Sequence, residues 1–211
     1  YLWATGLVKR AAAEVNMSLG LLDAPRAGAI AAAASEIMAG RYRDQFLVDP
    51  FQAGDGTSHN MNANEVLANL ANEALGGRRG EYRPVHPNDH VNMGQSTNDV
   101  IPTVIRVAAD AQTARLLAVV DDLVRALQDK AQEFDGVLKS ARTHLQDAVP
   151  IRLGQEFGGH AAAVRLDRDR IARSADQIRR LGIGGTAAGT GLNCHPRYHE
   201  AMVSRIAELT G

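Results

Sequence analysis

Apolar residues recur every three or four positions along two long stretches of the chain. In the first stretch, from Pro102 to about Phe134, this spacing predicts one helix of about 33 residues, roughly 50 Å long at 1.5 Å per residue. The second stretch runs from Phe157 to Ile178 with the same spacing. Helices this long need other long helices to pack against, so we expect a bundle completed by further chain or by other subunits.

Shorter helices are predicted on both sides of these two. Asp23 stands where a helix N-cap is expected, with Pro25 in the first turn, and Thr57 is a second candidate cap. Residues 137–139 are the only candidate strand, so the pattern predicts an all-α fold. The predicted shorter helices are residues 1–22, 24–40, 57–75 and 197–209.

The pattern also suggests a division into two domains. We predict an N-terminal helical domain over residues 1–94 and the first part of a central bundle of long helices over residues 95–211. The sequence opens at Tyr1 directly in a helical pattern. We therefore expect that the protein starts before Tyr1 and that the rest of the bundle follows these residues.

Composition excludes several classes of protein. Hydrophobic residues make up 45% of the chain and charged residues 22%, as in ordinary globular proteins. A net charge of −1 gives no reason to expect binding to nucleic acid or to a membrane surface, and no apolar run approaches the roughly 20 residues of a membrane span. The single cysteine, Cys194, cannot form an internal disulfide, which favours a cytoplasmic location.

Three polar segments between the predicted helices are dense in hydroxyl, amide and imidazole groups. They are residues 54–62, 86–99 and 142–150. Ser, Thr and Asn donate hydrogen bonds without adding a full charge, and histidine offers a proton near neutral pH. One such segment would be explained by turns and caps alone. Three such segments in a helical protein predict more than turns and caps, because helix N-termini attract anions. We expect a site that binds a carboxylate and stabilises negative charge developing on it.

Other chemistries fit these residues less well. Residues 86–90 have no cysteine partner at the spacing of a metal site, so no metal site is predicted. Ser58 and Ser96 lack the strand–turn–helix setting of a hydrolase nucleophile. The glycine-rich residues 182–187 follow a predicted helix rather than a strand, which is not the setting of a dinucleotide-binding loop.

Five blocks stand out in order along the chain: Gly56-Thr57 to Asn69, His86-Pro87-Asn88-Asp89-His90-Val91-Asn92, Arg142-Thr143-His144-Leu145-Gln146-Asp147, Leu153-Gly154-Gln155-Glu156-Phe157 and Gly189-Thr190-Gly191-Leu192-Asn193. Together they resemble the aspartase/class II fumarase superfamily over nearly the whole chain. The resemblance implies an all-α homotetramer with a central bundle of long helices and active sites each built from three subunits. It also implies cofactor-free β-elimination from a four-carbon dicarboxylate, through an aci-carboxylate intermediate, to give fumarate.

The resemblance assigns roles to individual residues. His144 matches the active-site histidine, as a charge-relay or leaving-group partner. The family positions that bind the substrate carboxylates are matched by Thr57, Ser96, Thr97, Asn98 and Thr143. A second dicarboxylate site described in fumarases is matched by Arg83, His86, Asn88 and Asp89. A well-capped turn explains this second set equally well.

Some features depart from the family pattern. We expect the flexible loop that holds the family's catalytic base to lie beyond Gly211. Met93 and Gly94 differ from the residues more often found at their positions. Asp55 replaces a small residue, and an acid beside an anion site would oppose dicarboxylate binding unless it points away or is paired.

The leaving group separates two readings of the resemblance. Residues 96–98 and 148–150 look more like those of aspartases, whereas residues 143–144 and 184–187 look at least as much like those of fumarases. We predict aspartate ammonia-lyase ahead of class II fumarase. A non-catalytic helical assembly is the alternative from another class, because the catalytic-base loop lies outside this sequence and the apolar seams are long.

Overall fold

The computed structural model describes residues 1–49 and 51–211, and it confirms the predicted all-α fold with one small antiparallel hairpin added. No helix in this described part of the chain is long and apolar enough to cross a membrane. Single turns of 3-10 and π helix lie at Arg43–Gln45 and Pro87–Val91. The longer elements are α1 (Leu2–Ser18), α2 (Ala24–Met38), α3 (Thr57–Ala74), α4 (Thr97–Glu133), β1 (Leu138–Thr143), β2 (Gln146–Arg152), α5 (Leu153–Ile178) and α6 (Tyr198–Thr210).

The predicted cap of α2 is confirmed and that of α3 is wrong. The Asp23 carboxylate accepts a hydrogen bond from the Arg26 amide at 3.0 Å, in the geometry of an N-cap. In α3, Gly56 is the cap and Thr57 is already helical. Gly56 has a φ of 86°, and a Cβ there would lie 3.0 Å from the side chain of Ile101. Glycine adopts a positive φ without strain, and it has no Cβ that would press on Ile101.

Helix α4 begins at Thr97, five residues before the predicted start at Pro102. The Ser96 hydroxyl accepts from the Asn98 amide at 3.3 Å, and the Asp99 carboxylate accepts from the Ser96 amide at 2.9 Å. These two bonds cap the start of α4. Proline is common at the first position of a helix, which is why Pro102 was a misleading start signal. In α4, Pro102 lies inside the second turn.

Residues 136–152 form a hairpin that the sequence pattern did not predict. Strands β1 and β2 pair antiparallel from Leu138 opposite Arg152 to Thr143 opposite Gln146. The ladder shifts register between Ser140 and Arg142. Most residues of both strands are exposed, so the alternation of apolar and polar residues that marks a half-buried strand is missing. The third polar segment is therefore part of a hairpin rather than a loop.

The described chain divides into two compact units. The first combines Tyr1–Ala108 with Leu181–Gly211, and the second is Ala109–Arg180. These units do not coincide with the predicted ranges, because α6 and the loop before it pack with α1 and the first turns of α4. The division of the protein into domains at residues 94 and 95 stays a prediction.

The first unit is built around α1, which contributes to two apolar clusters. On one side Leu7, Val8 and Ala11 pack with Val100 of α4 and Met202 of α6. On the other side α1 meets the alanine-rich α2, which in turn packs on α3. A Cβ on Gly6 would lie 2.8 Å from the carbonyl of Ala34. Small side chains therefore allow the close approach of these helices.

The second unit joins the rest of α4 to the hairpin and α5. Arg168 of α5 donates to both oxygens of Asp121 of α4, at 2.9 and 3.2 Å. At the start of α5, a Cβ on Gly154 would lie 2.3 Å from the carbonyl of Ala131 and 2.8 Å from the backbone of Asp135. The end of α4 and the start of α5 are thus in backbone contact at this glycine.

Changing Gly154 to Ala tests this contact. We expect Gly154→Ala to lower the free energy of unfolding by about 1–3 kcal/mol, because backbone must move to accept the methyl group. Gly159→Ala is the matched control in the same helix, where nothing lies within 4 Å of the added Cβ. The control should gain up to about 1 kcal/mol from helix propensity. Equal stabilities of the two variants in urea titrations would contradict the close contact.

Candidate active site

The turn before α4 and the glycine-rich loop after residue 181 enclose a cleft of about 450 Å³. Of the predicted substrate-binding residues, Ser96 and Thr97 line this cleft. The first turn of α4 begins in the same wall, so the positive end of the helix dipole lies at the cleft. The lining residues are Asn92, Gly94, Gln95, Ser96, Thr97, Thr186, Ala187, Ala188, Thr190, Leu192 and Asn193.

Asp99 fastens the two walls of the cleft to each other. One oxygen of its carboxylate accepts from the Ser96 amide, and the other accepts from the amides of Gly184 and Thr186, each at 2.9 Å. The residue is 4% exposed. Hydrogen bonds to a buried carboxylate are among the stronger ones in proteins. Asp99 therefore fixes the position of the glycine-rich loop against the start of α4.

Asn98 also connects the two walls. Its side-chain amide donates to the carbonyl of Ala187 at 2.7 Å. The structure thus brings Asn98 to the cleft, with its amide nitrogen bonded to the loop. Binding of substrate by Asn98 stays a prediction.

A buried polar network lies behind Thr97. The Thr97 hydroxyl accepts from the Asn60 amide at 3.2 Å, and the same amide lies 3.2 Å from the side-chain oxygen of Asn92. Lys9 of α1 donates to Asn92 at 3.0 Å and to Gln95 at 2.9 Å. Burial lowers the pKa of the Lys9 ammonium to about 7, against an opposing attraction from Asp99.

Thr57 and Asp55 form a local pair at the start of α3. The carboxylate of Asp55 accepts from the Thr57 amide at 3.1 Å and from its hydroxyl at 3.0 Å. These hydrogen bonds from Thr57 lower the pKa of Asp55. Thr57 is exposed and is not among the residues that line the cleft. The acid that departs from the family pattern is therefore paired, and its partner is a predicted substrate-binding residue.

Thr143 and His144 lie at the tip of the hairpin in the second unit. Thr143 is the last paired residue of β1, and His144 and Leu145 form the two-residue turn with φ values of 52° and 61°. Positive φ at both positions is the geometry of a type I′ turn, which Asn and Gly adopt more readily than His and Leu. All three residues are exposed, and Leu145 is 93% exposed. The hairpin thus presents both predicted residues at a strained tip.

The second predicted set gathers around the π turn at Pro87–Val91. The Nδ1 atom of His86 accepts from the amides of Asn88 and Asp89 at 3.2 and 3.3 Å. His86, Asn88 and Asp89 therefore form a capped turn, one of the two alternatives given above for this set. Binding of a dicarboxylate by these residues and by the exposed Arg83 stays a prediction. The part of the chain that the structure describes contains no cluster of three His, Cys, Asp or Glu residues able to hold a metal ion.

Sequence reasoning missed several residues of the site. Lys9 and Asn60 are fully or almost fully buried and support the cleft from behind. Thr5, Lys9 and Asn16 are polar residues on a buried stripe of α1, and this stripe was a signal that could have been found. Thr186 and Asn193 also line the cleft, and they lie in the loop whose glycines suggest a dinucleotide site or a family landmark but no contact with the start of α4.

Comparisons with known proteins agree on one family. A family model described as lyase matches residues 1–211. A class II fumarate hydratase of Halobacterium salinarum is 56% identical over 209 residues, which are 99% of this chain and 44% of that protein. An aspartate ammonia-lyase of Bacillus subtilis is 48% identical over 208 residues, again 99% of this chain and 44% of that protein.

A solved structure extends this similarity to three dimensions. The crystal structure of a fumarate lyase/delta crystallin from Brucella melitensis bound to cobalt is 46% identical, with a TM-score of 0.94. The match covers all of this chain and 46% of that one. The chain therefore spans less than half the length of the relatives it matches.

Replacing Asp99 tests the link between the walls of the cleft. Asp99→Asn puts an amide group where backbone amides now donate to a carboxylate oxygen, so at least one donor loses its acceptor. We expect the free energy of unfolding in urea to fall by about 1.5–3 kcal/mol. Asp129→Asn, at an exposed position of the same helix, should change it by less than about 0.5 kcal/mol. A loss no larger than that of the control would show that Asp99 does not hold the loop.

The lowered pKa of Lys9 predicts how stability changes with pH. Between about pH 7 and its ordinary value of 10.5, the unfolded chain keeps a proton on Lys9 that the folded chain has released. The unfolded state binds more protons there, so stability rises with pH, by at most about 1.4 kcal/mol per pH unit. The stability of the wild type relative to Lys9→Met should therefore increase from pH 7 to 9. A difference that stays constant over this range would contradict the lowered pKa.

Proposed function

The chain belongs to the lyase family, within the aspartase/class II fumarase superfamily, and on that premise we propose that the whole protein eliminates a small group from a four-carbon dicarboxylate to give fumarate. The observation that supports this most is the cleft at the start of α4, where the Ser96 and Thr97 side chains meet a helix N-terminus. Hydroxyl donors and a helix dipole suit one carboxylate of such a substrate.

The chemistry follows from where negative charge develops. When a base removes a proton from the carbon next to a carboxylate, the electron pair moves onto that carboxylate. The resulting aci-carboxylate carries additional negative charge. Donors that are already in place stabilise this intermediate more than the substrate, which lowers the barrier. We propose that Ser96, Thr97 and Asn98 are such donors, and that Asp99 holds the cleft in the required shape. The base would come from a part of the whole protein outside these residues.

We propose that Thr57, Thr143 and His144 complete the site in a homotetramer. Thr143 and His144 are exposed at the tip of the hairpin, where another copy of the chain can reach them. In this proposal Thr143 binds a substrate carboxylate and His144 assists proton transfer or departure of the leaving group. Thr57 would take part by moving its hydroxyl from Asp55 to the substrate.

Malate is the first candidate substrate, which makes the whole protein a fumarate hydratase. The relative with 56% identity carries that name, whereas the aspartate ammonia-lyase is 48% identical. Aspartate is the second candidate, because residues 96–98 and 148–150 look more like those of aspartases. The order is thus the reverse of the one that the sequence alone favoured. A second dicarboxylate site at Arg83, His86, Asn88 and Asp89 and a cytoplasmic location complete the proposal.

An assay of the complete protein with both substrates tests the reaction. We expect absorbance from fumarate to rise with malate, and to rise less or not at all with aspartate. A rise with aspartate alone would reverse the order of the two substrates. Absence of fumarate with either would overturn the proposed reaction and favour a non-catalytic helical assembly.

Thr143→Val tests one proposed contact in the complete protein. The change keeps the shape of the side chain but leaves a buried carboxylate oxygen of the ligand without a donor. We expect dicarboxylate binding to weaken by about 1–3 kcal/mol, measured with succinate by calorimetry. Thr113→Val is the control, because its hydroxyl bonds the Ala109 carbonyl within α4. If both variants bound succinate as the wild type does, Thr143 would have no role in binding.

A further inference from the structure

Lys9 is fully buried in the first unit, in the middle of α1. The chain has three lysines and twenty arginines, and the side chains of Lys130 and Lys139 are 50% and 35% exposed. Burying an ammonium group removes it from water at a considerable cost. A methionine would fill similar space among the apolar neighbours of α1 without that cost. Packing alone therefore does not account for a lysine at this position.

The hydrogen bonds of Lys9 go to the turn that lines the cleft. Its Nζ atom donates to the side-chain oxygen of Gln95 at 2.9 Å. The amide nitrogen of Gln95 in turn donates to the carbonyls of Val91 and Met93, at 2.9 and 3.2 Å. The Gln95 side chain thus closes the turn on itself, with its nitrogen toward the backbone and its oxygen toward Lys9. A donor at Lys9 keeps the amide in this orientation.

The second hydrogen bond of Lys9 leads to Thr97. Nζ donates to the side-chain oxygen of Asn92 at 3.0 Å, and this oxygen also lies 3.2 Å from the Asn60 amide. The same Asn60 amide lies 3.2 Å from the Thr97 hydroxyl. Asn92, Gln95 and Thr97 all line the cleft. Lys9 therefore reaches three lining residues through no more than two intervening side chains.

We propose that Lys9 is a positioning residue for the cleft: by holding Gln95 and Asn92 it sets the geometry of the turn that presents Ser96 and Thr97 to a dicarboxylate. Lys9 does not touch the ligand in this proposal. The inference rests on the proposed function and extends it to a residue of α1. Loss of Lys9 should loosen the turn in substrate complex and transition state alike, which weakens binding more than it slows the chemical step.

Steady-state kinetics of the complete protein test the proposal, with whichever of malate or aspartate the wild type converts to fumarate. We expect Lys9→Met to raise KM at least fivefold and to lower kcat by less than twofold. Thr5→Val is the control in the same helix, since the Thr5 hydroxyl bonds the Tyr1 carbonyl rather than a residue that lines the cleft, and the residue is also buried. The control should leave both constants within twofold. An unchanged KM in Lys9→Met would overturn the proposal.

Two further variants keep the test decisive. Lys9→Gln retains one amide donor and should raise KM by a smaller factor than Lys9→Met; if the methionine variant does not fold, an unchanged KM in Lys9→Gln overturns the proposal. Gln95→Met removes the partner, so adding Lys9→Met to it should raise KM by less than half the factor seen in the wild-type background. If the two substitutions raised KM by independent factors that multiply in the double variant, Lys9 would not act through Gln95.

The same measurements separate this inference from the proposed function. A wild type that forms fumarate, together with a Lys9→Met variant of normal KM, would overturn only the role of Lys9. A wild type that forms fumarate from neither substrate would overturn the proposed function and the inference that rests on it.

Discussion

The buried carboxylate of Asp99 is the constraint on which the cleft depends. Its two oxygens serve different parts of the chain, one the amide that begins α4 and the other two amides of the glycine-rich loop. Residues more than 80 positions apart are thereby fixed against each other. Without this link, only the Asn98 hydrogen bond among the contacts described above would join the loop to the helix N-terminus at Ser96 and Thr97.

Around this link, the site separates groups that hold its shape from groups that remain available to a ligand. Asp99 and the network behind Thr97 use their hydrogen bonds on the protein itself, whereas Asn98 gives one of its two amide hydrogens to the loop. The cleft in front of them is lined by hydroxyl and amide side chains together with small and apolar residues of the loop. In the proposed reaction such hydroxyl and amide donors suit an intermediate on which negative charge grows, because donors already in place stabilise the added charge.

Part of this structure could be predicted from the sequence, and the limits have physical causes. The long helices could be predicted from the spacing of apolar residues. The Asp23 cap could be predicted because aspartate is a preferred N-cap residue and a proline follows in the first turn. The hairpin at Leu138–Arg152 could not be predicted, since both of its faces are largely exposed and it has no periodic signal. Ser96 and Thr97 came from resemblance to a family rather than from periodicity. Lys9 could not be predicted because its hydrogen-bond partners, Asn92 and Gln95, lie more than 80 positions away along the chain.

A crystal structure of the complete protein with succinate, a dicarboxylate that cannot undergo the elimination, tests the central claim most directly. The account predicts one succinate carboxylate in the cleft, within about 3.2 Å of the Ser96 or Thr97 side-chain oxygens and in front of the Asp99 link. Succinate bound only elsewhere, with Ser96 and Thr97 away from any carboxylate, would contradict it.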